Sequence, residues 1–425
     1  MGASGQGDAR RTRNGAAAPP GSRAPSLGVA VTGGLLVVAA FLVYLVCNRQ
    51  FNAGRGDFFY LADAFLHGRT WILHELGPFD NVVVDGRVYV PFGPFPAIAL
   101  GPLVALVGPR TADSWQPIVN AALAALDFGL AWLLVGRLGV RSLVERGWLV
   151  VLFGFSTAIW WVTTRGGVWH TGHLIATLLT LVILLEFHGR RRAWLVGLLG
   201  GAAFLTRAPL LFALPFYGLW FLVDHRRRQG LRKRAAAVPR LVPVRAWIEL
   251  AIGFLPGLLF SFWYNDVRFG SPLESGYALA SLPPWLAALR DQGLFSVSHL
   301  VQNVDYLFLH PPSPVPTFPF LRPDGFGLSI LLTSPGLLLA VRADWSSARS
   351  RLLLGAAVAT LVPSLLYYGG GWLQYGFRYA LDSIPFVFAL AALAVARHGL
   401  GRVGRALIVF GFLVNLAGVY WAYNI

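Results

Sequence analysis

The segment Leu27–Cys47 reads LGVAVTGGLLVVAAFLVYLVC and contains no charged residue. About twenty residues, each rising about 1.5 Å along a helix, are enough to cross the hydrocarbon core of a bilayer. A signal peptide is the alternative, but its apolar core is shorter, and the following Cys47-Asn48-Arg49 offers no small-residue cleavage site. We therefore expect Leu27–Cys47 to be an uncleaved first transmembrane helix.

The composition of the whole chain agrees with a membrane protein. Of its 425 residues, 56% are hydrophobic and only 13% are charged, whereas soluble domains carry about 25% charged residues. This excludes an ordinary soluble enzyme and a disordered chain. Cys47 is the only cysteine, so the chain has neither an internal disulfide nor a cysteine-based metal site.

Further apolar segments follow the first one and predict an all-α polytopic bundle. They lie near 94–107, 116–136, 147–164, 168–187, 193–206, 208–223, 246–264, 328–341, 352–368, 383–396 and 406–424. Several are short and contain Gly or Pro, which indicates kinked or partial crossings that are tolerated inside a bundle. We expect residues 27–425 to form one transmembrane domain.

The net charge of +16 could indicate binding to nucleic acid or to an acidic membrane surface. The positions of the basic residues along the chain decide between these two interpretations. The excess of basic residues lies in 1–26, which we expect to be a disordered basic tail, and in connections between apolar segments, namely 137–146, 190–192, 224–245, 342–351 and 397–405. Arg and Lys in short loops mark the cytoplasmic side. We therefore expect a cytoplasmic N-terminus, an outer C-terminus, and no nucleic-acid partner.

This arrangement constrains the segment 94–107. If it crossed the membrane fully, the basic connections 137–146 and 190–192 would face outward. Because the segment holds three prolines, we expect a re-entrant or juxtamembrane element instead. About eleven transmembrane helices then remain, with two large outer loops at about 48–93 and 265–327.

The first outer loop carries a candidate general base. Phe58, Leu61 and Phe65 follow helical spacing, which predicts a short amphipathic helix on the membrane surface. Asp57 precedes it, either as its N-cap or as a carboxylate that removes a proton from an acceptor hydroxyl. Asp85-Gly86 between valine-rich runs predicts a hairpin turn.

Other polar and aromatic residues also have two interpretations. Arg207 either contacts a phosphate or pairs with Asp127, and Arg378 either contacts a phosphate or pairs with Asp382. His170 and His173, with Asp57 or Asp80, either bind a divalent metal ion or hydrogen-bond to neighbours. We expect Asp127 to be a structural hydrogen-bonding group. Trp160, Trp161 and Trp169 form either an aromatic belt or a platform for sugar or prenyl groups.

Several motifs together resemble the GT-C superfamily of integral-membrane glycosyltransferases, in particular protein O-mannosyltransferases and lipid A aminoarabinose transferases. The similarity covers roughly 30–420. The motifs are Asp57 before a helix that ends His67-Gly-Arg69, Tyr89-Val-Pro-Phe-Gly-Pro-Phe-Pro96, Thr163–His170, Phe204-Leu-Thr-Arg207-Ala-Pro209, Tyr264–Tyr277 and Gln374–Asp382. The chain departs from the aminoarabinose transferases in two places. Gly93-Pro94-Phe95-Pro96 lacks their lysine, and His170 replaces their second-site Asp.

The resemblance implies an enzyme of the bacterial cytoplasmic membrane that uses a polyprenyl-phosphate-linked sugar at the outer face, among membrane lipids. The acceptor would be an envelope glycan, lipid or protein. Asp57 is then the expected catalytic base, with inversion at the anomeric carbon. The expected substrate-binding residues are Tyr60, Asp80, Tyr89, Trp169, His170, Arg207, Arg268, Arg378 and Tyr379, with Arg165 as a further phosphate candidate. A transporter or flippase of a lipid-linked saccharide, and an inactive membrane scaffold, are the alternatives.

Overall fold

A computed structural model describes residues 27–48, 55–232, 243–318 and 320–422, so the predicted tail 1–26 lies outside the described residues. Most of the described residues are helical. In order, the α-helices are α1 Leu27–Cys47, α2 Asp57–Leu66, α3 Phe95–Val107, α4 Pro109–Ser114, α5 Gln116–Arg137, α6 Leu143–Phe155, α7 Ile159–Arg165, α8 Val168–Phe187, α9 Ala193–Thr206, α10 Leu214–Arg232, α11 Val244–Phe269, α12 Pro284–Arg290, α13 Leu300–Val304, α14 Ile330–Thr333, α15 Ala348–Leu366, α16 Ile384–His398 and α17 Arg402–Ala422.

Shorter elements complete the chain. The 3-10 segments are Ala208–Ala213, Val297–His299, Pro335–Arg342 and Arg378–Asp382, and Asp305–Leu309 is a π-helical turn. Two antiparallel hairpins pair β1 Val82–Val84 with β2 Arg87–Tyr89 and β3 Ser313–Pro314 with β4 Leu321–Arg322.

The helices make the chain a multi-pass membrane protein, as predicted. Among the described residues, seven helices are long and apolar enough to cross a bilayer, and α6 with α7, bent by 47°, makes up to eight. Helices α3, α9 and α16 are apolar but shorter. The number of eleven crossings therefore stays a prediction.

Helix α3 occupies the segment for which we expected a re-entrant element. Its 13 residues rise only about 20 Å, less than the roughly 30 Å hydrocarbon core. It is followed at once by the short α4 and packs against α2. This length agrees with an element that does not cross the membrane.

Helices α9 and α11 pack with unusually close backbones. An added Cβ on Gly197 would lie 2.1 Å from the Leu250 carbonyl oxygen, and one on Gly253 would lie 2.0 Å from that of Trp194. One turn further on, Gly201 and Gly257 meet in the same way. Both helices therefore use glycines four residues apart to reach backbone contact, a packing mode that is common in membranes.

The first outer loop has the predicted elements, but its helix is more buried than expected. In α2, Phe58, Phe59 and Leu61 are buried, packed against α3 and α4. The prediction of a short helix is therefore confirmed, and the prediction that it is exposed on the membrane surface is wrong. The hairpin turn is confirmed, with Asp85 and Gly86 both in the left-handed region at φ of 50° and 71°, as a two-residue turn of type I′ requires.

The basic connections lie together at one end of the bundle. Gly189 packs against the Arg137 guanidinium, Arg191 pairs with Asp224 at 3.0 Å, and the Leu400 amide donates to Glu145 at 2.8 Å. Helix α8 ends there and begins at the opposite end, about 30 Å away. We call the end where α8 begins the outer end, following the predicted orientation.

Two predictions about residues inside the bundle were wrong. Trp160 and Trp161 are 2% and 0% exposed and pack in the core, so they do not form an interfacial belt. Asp127 on α5 is fully buried, and neither carboxylate oxygen has a hydrogen-bond partner among the described residues. It is therefore not the structural hydrogen-bonding group that we expected.

Candidate active site

Asp57 is the first residue of α2, and its carboxylate is completely buried against Arg55. The Arg55 Nη2 donates to one carboxylate oxygen at 2.8 Å and Nε donates to the other at 3.0 Å. Gly56 occupies the N-cap position without a side-chain cap, so Asp57 is not the N-cap. The first helical turn favours a negative charge there, and the guanidinium fork holds both oxygens in place.

Arg55 also ties the first outer loop to α8. Its Nη1 donates to the Phe79 carbonyl at 2.8 Å, and its own carbonyl accepts from the Val168 amide at 2.9 Å. The Trp169 ring lies 5.0 Å from the guanidinium carbon, within cation–π range. The pKa of Arg55 is raised, because its hydrogen bonds and ion pair with Asp57 outweigh burial.

Asp80 joins the two outer loops and α8. The Trp169 indole N–H donates to its carboxylate at 3.1 Å, and its backbone amide donates to the Ser281 carbonyl at 2.8 Å. Burial raises the pKa of Asp80 even though Arg55, Trp169 and Arg378 act in the opposite direction. The structure thus brings together Asp57, Asp80 and Trp169, three of the residues singled out in the sequence.

A third carboxylate, which sequence reasoning missed, lies beside this group. An added Cβ on Gly56 would lie 2.1 Å from an Asp113 carboxylate oxygen. Only glycine lets α4 bring that carboxylate so near the start of α2. Burial, and then the charge of Asp57, raise the pKa of Asp113.

A second group forms where α8, α9 and the segment Arg378–Asp382 meet. The Arg207 Nε donates to a carboxylate oxygen of Asp382 at 2.6 Å, and the His173 Nδ1 lies 3.6 Å from the same oxygen. The side chains of Asp382 and His173 are each 1% exposed. Both alternative pairings proposed from the sequence are therefore wrong: Arg207 pairs with Asp382, not Asp127, and Asp382 is not the partner of Arg378.

Arg378 is the second arginine of this group, and it differs from Arg207 in its partners. It is buried, yet it has no carboxylate partner among the described residues, and its Nε has no hydrogen-bond partner there. Its Nη atoms make only long contacts, 3.4 Å to the Trp372 carbonyl and 3.5 Å to the Tyr379 hydroxyl. The Tyr379 ring lies near both guanidinium groups, 5.2 Å from Arg378 and 5.5 Å from Arg207. Arg378 therefore carries a buried positive charge whose donors the described residues use only weakly.

Tyr277 of the second outer loop connects the two groups. Its ring packs between Phe92 and Tyr367 at 6.3 and 6.2 Å. Burial raises its pKa, while the nearby charges of Arg207 and Asp80 lower and raise it respectively. Because Tyr277 lies close to both charges, the carboxylates of the first loop and the arginines of the second group share one region at the outer end.

His170 lies at the outer end of α8, between the Trp161 and Trp169 rings. Its Nδ1 hydrogen-bonds to the Gly166 carbonyl, and its Nε2 is buried without a partner among the described residues. In the described part of the chain, no three His, Cys, Asp or Glu side chains converge as metal ligands do. The geometry therefore does not supply the ligand set suggested for a divalent metal ion, and no chemical step is assigned to one.

Three other predicted substrate-binding residues make packing contacts or hydrogen bonds of their own. Arg268 is buried and donates to the Tyr264 carbonyl, the Val90 carbonyl and the Asn265 side chain at 2.8–3.1 Å. Tyr89 is buried against Phe269. Arg268 and Tyr89 thus pack the first hairpin against the end of α11. Tyr60 is half-buried, with its ring edge against His74.

Neither a known protein-family model nor a curated protein sequence matches the chain. Among solved structures, its fold matches ArnT from Cupriavidus metallidurans bound to undecaprenyl phosphate, with a TM-score of 0.50 and 16% identity over 92% of this chain. The fold is ArnT-like. The predicted resemblance is therefore confirmed at the level of the fold. The chain spans 64% of the length of that ArnT chain.

A close backbone contact accounts for one of the two departures noted in the sequence. Gly93 begins the segment in which the chain lacks the lysine of the aminoarabinose transferases. An added Cβ on Gly93 would lie 2.2 Å from the Leu205 carbonyl oxygen. Gly93 therefore packs directly on the end of α9, next to Arg207. A side chain does not fit at this position, so the positive charge at this end comes from the arginines.

Proposed function

We propose that this protein is an inverting glycosyltransferase that moves a sugar from a polyprenyl-phosphate donor to a cell-envelope acceptor at the outer face of the bacterial cytoplasmic membrane. The observation that carries the proposal is the buried Arg378, which has no ion-pair partner in the described part of the chain. It lies near enough to Asp80, one of the carboxylates grouped with Asp57, to lower the pKa of that carboxyl. A transfer of this kind needs one group for the leaving phosphate and one for the acceptor proton.

Asp57 is the proposed general base. The acceptor hydroxyl oxygen forms a bond to the anomeric carbon, and its proton passes to the Asp57 carboxylate. Arg55 orients that carboxylate through two hydrogen bonds, which supports a base that is in position before the acceptor arrives. Because the acceptor attacks directly and no covalent sugar intermediate forms, the configuration at the anomeric carbon inverts.

Arg378 is the proposed contact for the leaving group. As the bond between the anomeric carbon and the phosphate oxygen breaks, that oxygen keeps the electron pair and polyprenyl phosphate leaves. A guanidinium group is suited to phosphate oxygens, and Arg378 has donors that protein groups do not fully use. Arg207 adds positive charge near the same Tyr379 ring, although Asp382 neutralises part of it.

The lipid part of the donor is supported by two features. ArnT, whose fold this chain shares, was crystallised with undecaprenyl phosphate. The proposed site lies at the end of α8, a helix that is long and apolar enough to cross the membrane, so a prenyl tail can remain in the bilayer while its phosphate reaches Arg378.

The test is transfer by the purified full-length protein in detergent. We expect polyprenyl-phosphate sugars to release polyprenyl phosphate, and Asp57→Asn to reduce the rate at least a hundredfold, the usual scale for loss of a general base. Asp63→Asn is the matched control: Asp63 lies on the same helix but pairs with Arg69 at 3.1 Å, so it should retain the wild-type rate.

Two results would contradict parts of the proposal. Full turnover by Asp57→Asn would remove Asp57 as the base. Absence of transfer from mannose, glucose, galactose and arabinose carriers, together with movement of labelled lipid-linked saccharide across vesicle membranes, would favour the alternative of a flippase.

A further inference from the structure

The hairpin β3–β4 in the second outer loop carries an exposed apolar tip. Phe318 and Phe320 are 71% and 60% exposed, and Leu321 is 54% exposed. The Val315 amide donates to the Phe320 carbonyl at 2.9 Å, and the Phe320 amide donates to the Thr317 carbonyl at 2.7 Å. These bonds fix the backbone of the turn, while its apolar side chains stay uncovered. We call Phe318, Phe320 and Leu321 the hairpin tip.

The hairpin tip contacts the outer end of α17. The Phe318 ring lies 5.8 Å from the Tyr420 ring and 6.1 Å from the Phe320 ring, both in edge-to-face geometry. Tyr420 is itself 47% exposed and belongs to the last turn of α17. The three rings thus form one exposed aromatic patch that joins the hairpin to this helix. A contiguous apolar patch marks a surface that contacts lipid or another protein.

The patch continues a stripe of apolar side chains along α17. Val409, Leu413, Leu416 and Tyr420 are 43–55% exposed. Their spacing of three or four residues places them on one face of the helix. Helix α17 is long and apolar enough to cross the bilayer, so this face contacts acyl chains. The hairpin tip therefore lies at the end of a lipid-facing surface.

The length of α17 gives the depth of the patch. Arg402 and Arg405 are exposed at the start of the helix, where arginines mark the interface at the inner end. From Arg402 to Tyr420 the helix rises about 27 Å, close to the roughly 30 Å thickness of the hydrocarbon core. Tyr420 and the hairpin tip therefore lie near the boundary between acyl chains and head groups at the outer end, where tyrosine rings are enriched.

We infer that the hairpin tip inserts into the lipid leaflet at the outer end of the bundle and anchors the second outer loop to the membrane surface. Lipid covers the adjoining face of α17, so one leaflet covers both surfaces, whereas a partner protein or a second copy would first have to displace it. Arg322, exposed directly after the tip, adds a positive charge suited to lipid phosphates. This inference is independent of the proposed transferase activity.

A nitroxide label measures the depth of the tip in the full-length protein, reconstituted in nanodiscs of phosphatidylethanolamine and phosphatidylglycerol. Cys47 is the only cysteine, so Cys47→Ser gives a background in which Phe320→Cys carries the only label. We expect oxygen, which concentrates in lipid, to reach this label better than a water-soluble nickel chelate does. Leu416→Cys on α17 should give the same pattern, and Gln292→Cys, exposed in the same loop, should give the reverse.

Two results would overturn the inference. If the nickel chelate reaches the label at Phe320→Cys as freely as the label at Gln292→Cys, the tip lies in water. If the label is protected from both oxygen and the nickel chelate, protein covers the tip, such as a second copy of the chain.

A second measurement tests whether the aromatic side chains cause the insertion. With the label at Leu321→Cys, the changes Phe318→Ser with Phe320→Ser should expose the label to the nickel chelate. The matched changes Phe318→Leu with Phe320→Leu keep both positions apolar and should keep the label protected. All three positions are more than half exposed, so these substitutions leave the core of the bundle intact. Protection that survives in the serine variant would contradict insertion driven by the tip.

Discussion

The Arg55 guanidinium binds both carboxylate oxygens of Asp57, at 2.8 and 3.0 Å, although only one residue separates the two in sequence. Asp57 is fully buried, so this ion pair replaces the water that an exposed carboxylate would have. The pair therefore compensates the buried charge and fixes the orientation of the proposed base.

Replacing Arg55 should lower the rate of the proposed transfer, because Arg55 holds the proposed base in position. For Arg55→Gln we expect kcat to fall roughly ten- to hundredfold, the scale of a charge-assisted hydrogen bond of about 1.5–3 kcal/mol. Arg87→Gln, in the same loop, is the control. An unchanged kcat in Arg55→Gln would show that Arg55 does not position the base.

The two arginines beside Tyr379 should respond differently to the same substitution. Arg207→Gln leaves the buried Asp382 without its ion-pair partner, so we expect a loss of stability of about 3–5 kcal/mol. Arg378→Gln removes a cation that has no carboxylate partner in the described part of the chain, so the thermal midpoint should stay near that of the wild type. The affinity for polyprenyl phosphate should instead fall by at least tenfold.

Thermal denaturation and lipid-phosphate binding separate these two outcomes. The double variant Arg207→Gln with Asp382→Asn removes both charges and should recover much of the lost stability. An Arg378→Gln protein that unfolds early but binds polyprenyl phosphate normally would contradict the assignment of Arg378 to the leaving group.

Gly93 should not tolerate even one methyl group. An alanine Cβ there would lie 2.2 Å from the Leu205 carbonyl oxygen, so Gly93→Ala must push α9 away. We expect a loss of about 1–3 kcal/mol and a raised KM for the donor, because Arg207 follows α9. Gly101→Ala in α3 is the matched control, since a Cβ there has open space. Equal thermal midpoints for the two variants would contradict the close contact.

The second outer loop should loosen as the pH rises. Both nitrogens of His310 contact carboxylates, Asp305 at 2.9 Å and Asp324 at 2.8 Å. Burial lowers the pKa of His310, but these two hydrogen bonds outweigh it and raise the pKa above its usual value. The stabilisation is therefore present below the ordinary histidine pKa near 6.5 and is lost as the pH rises through the raised value.

Hydrogen exchange, corrected for intrinsic rates, can follow this change. We expect faster exchange around residues 305–310 at pH about 8.5 than at pH about 5.5, with a difference of about 1 kcal/mol or less, because both carboxylates are partly exposed. His310→Gln should remove the difference, and His398→Gln at the other end should not. A pH response that survives His310→Gln would assign it to another group.

The sequence predicts the fold well because its signals are local. Apolar length identifies Leu27–Cys47, and Asp85-Gly86 specifies its own turn. Tertiary pairings are different. Arg207 and Asp382 are 175 residues apart, and no pattern along the chain joins them. The burial of Trp160 could not be predicted from the sequence either, because lipid-facing and core positions are both apolar in a membrane protein.

The close glycine contact between α9 and α11 leaves these two helices little freedom to slide or separate. They therefore behave as one rigid wall, and Arg207 at the end of α9 and Arg268 at the end of α11 must keep a fixed spacing. Arg207 is also tied through Asp382 to the segment Arg378–Asp382, so a shift of the α9–α11 pair would displace that segment as well.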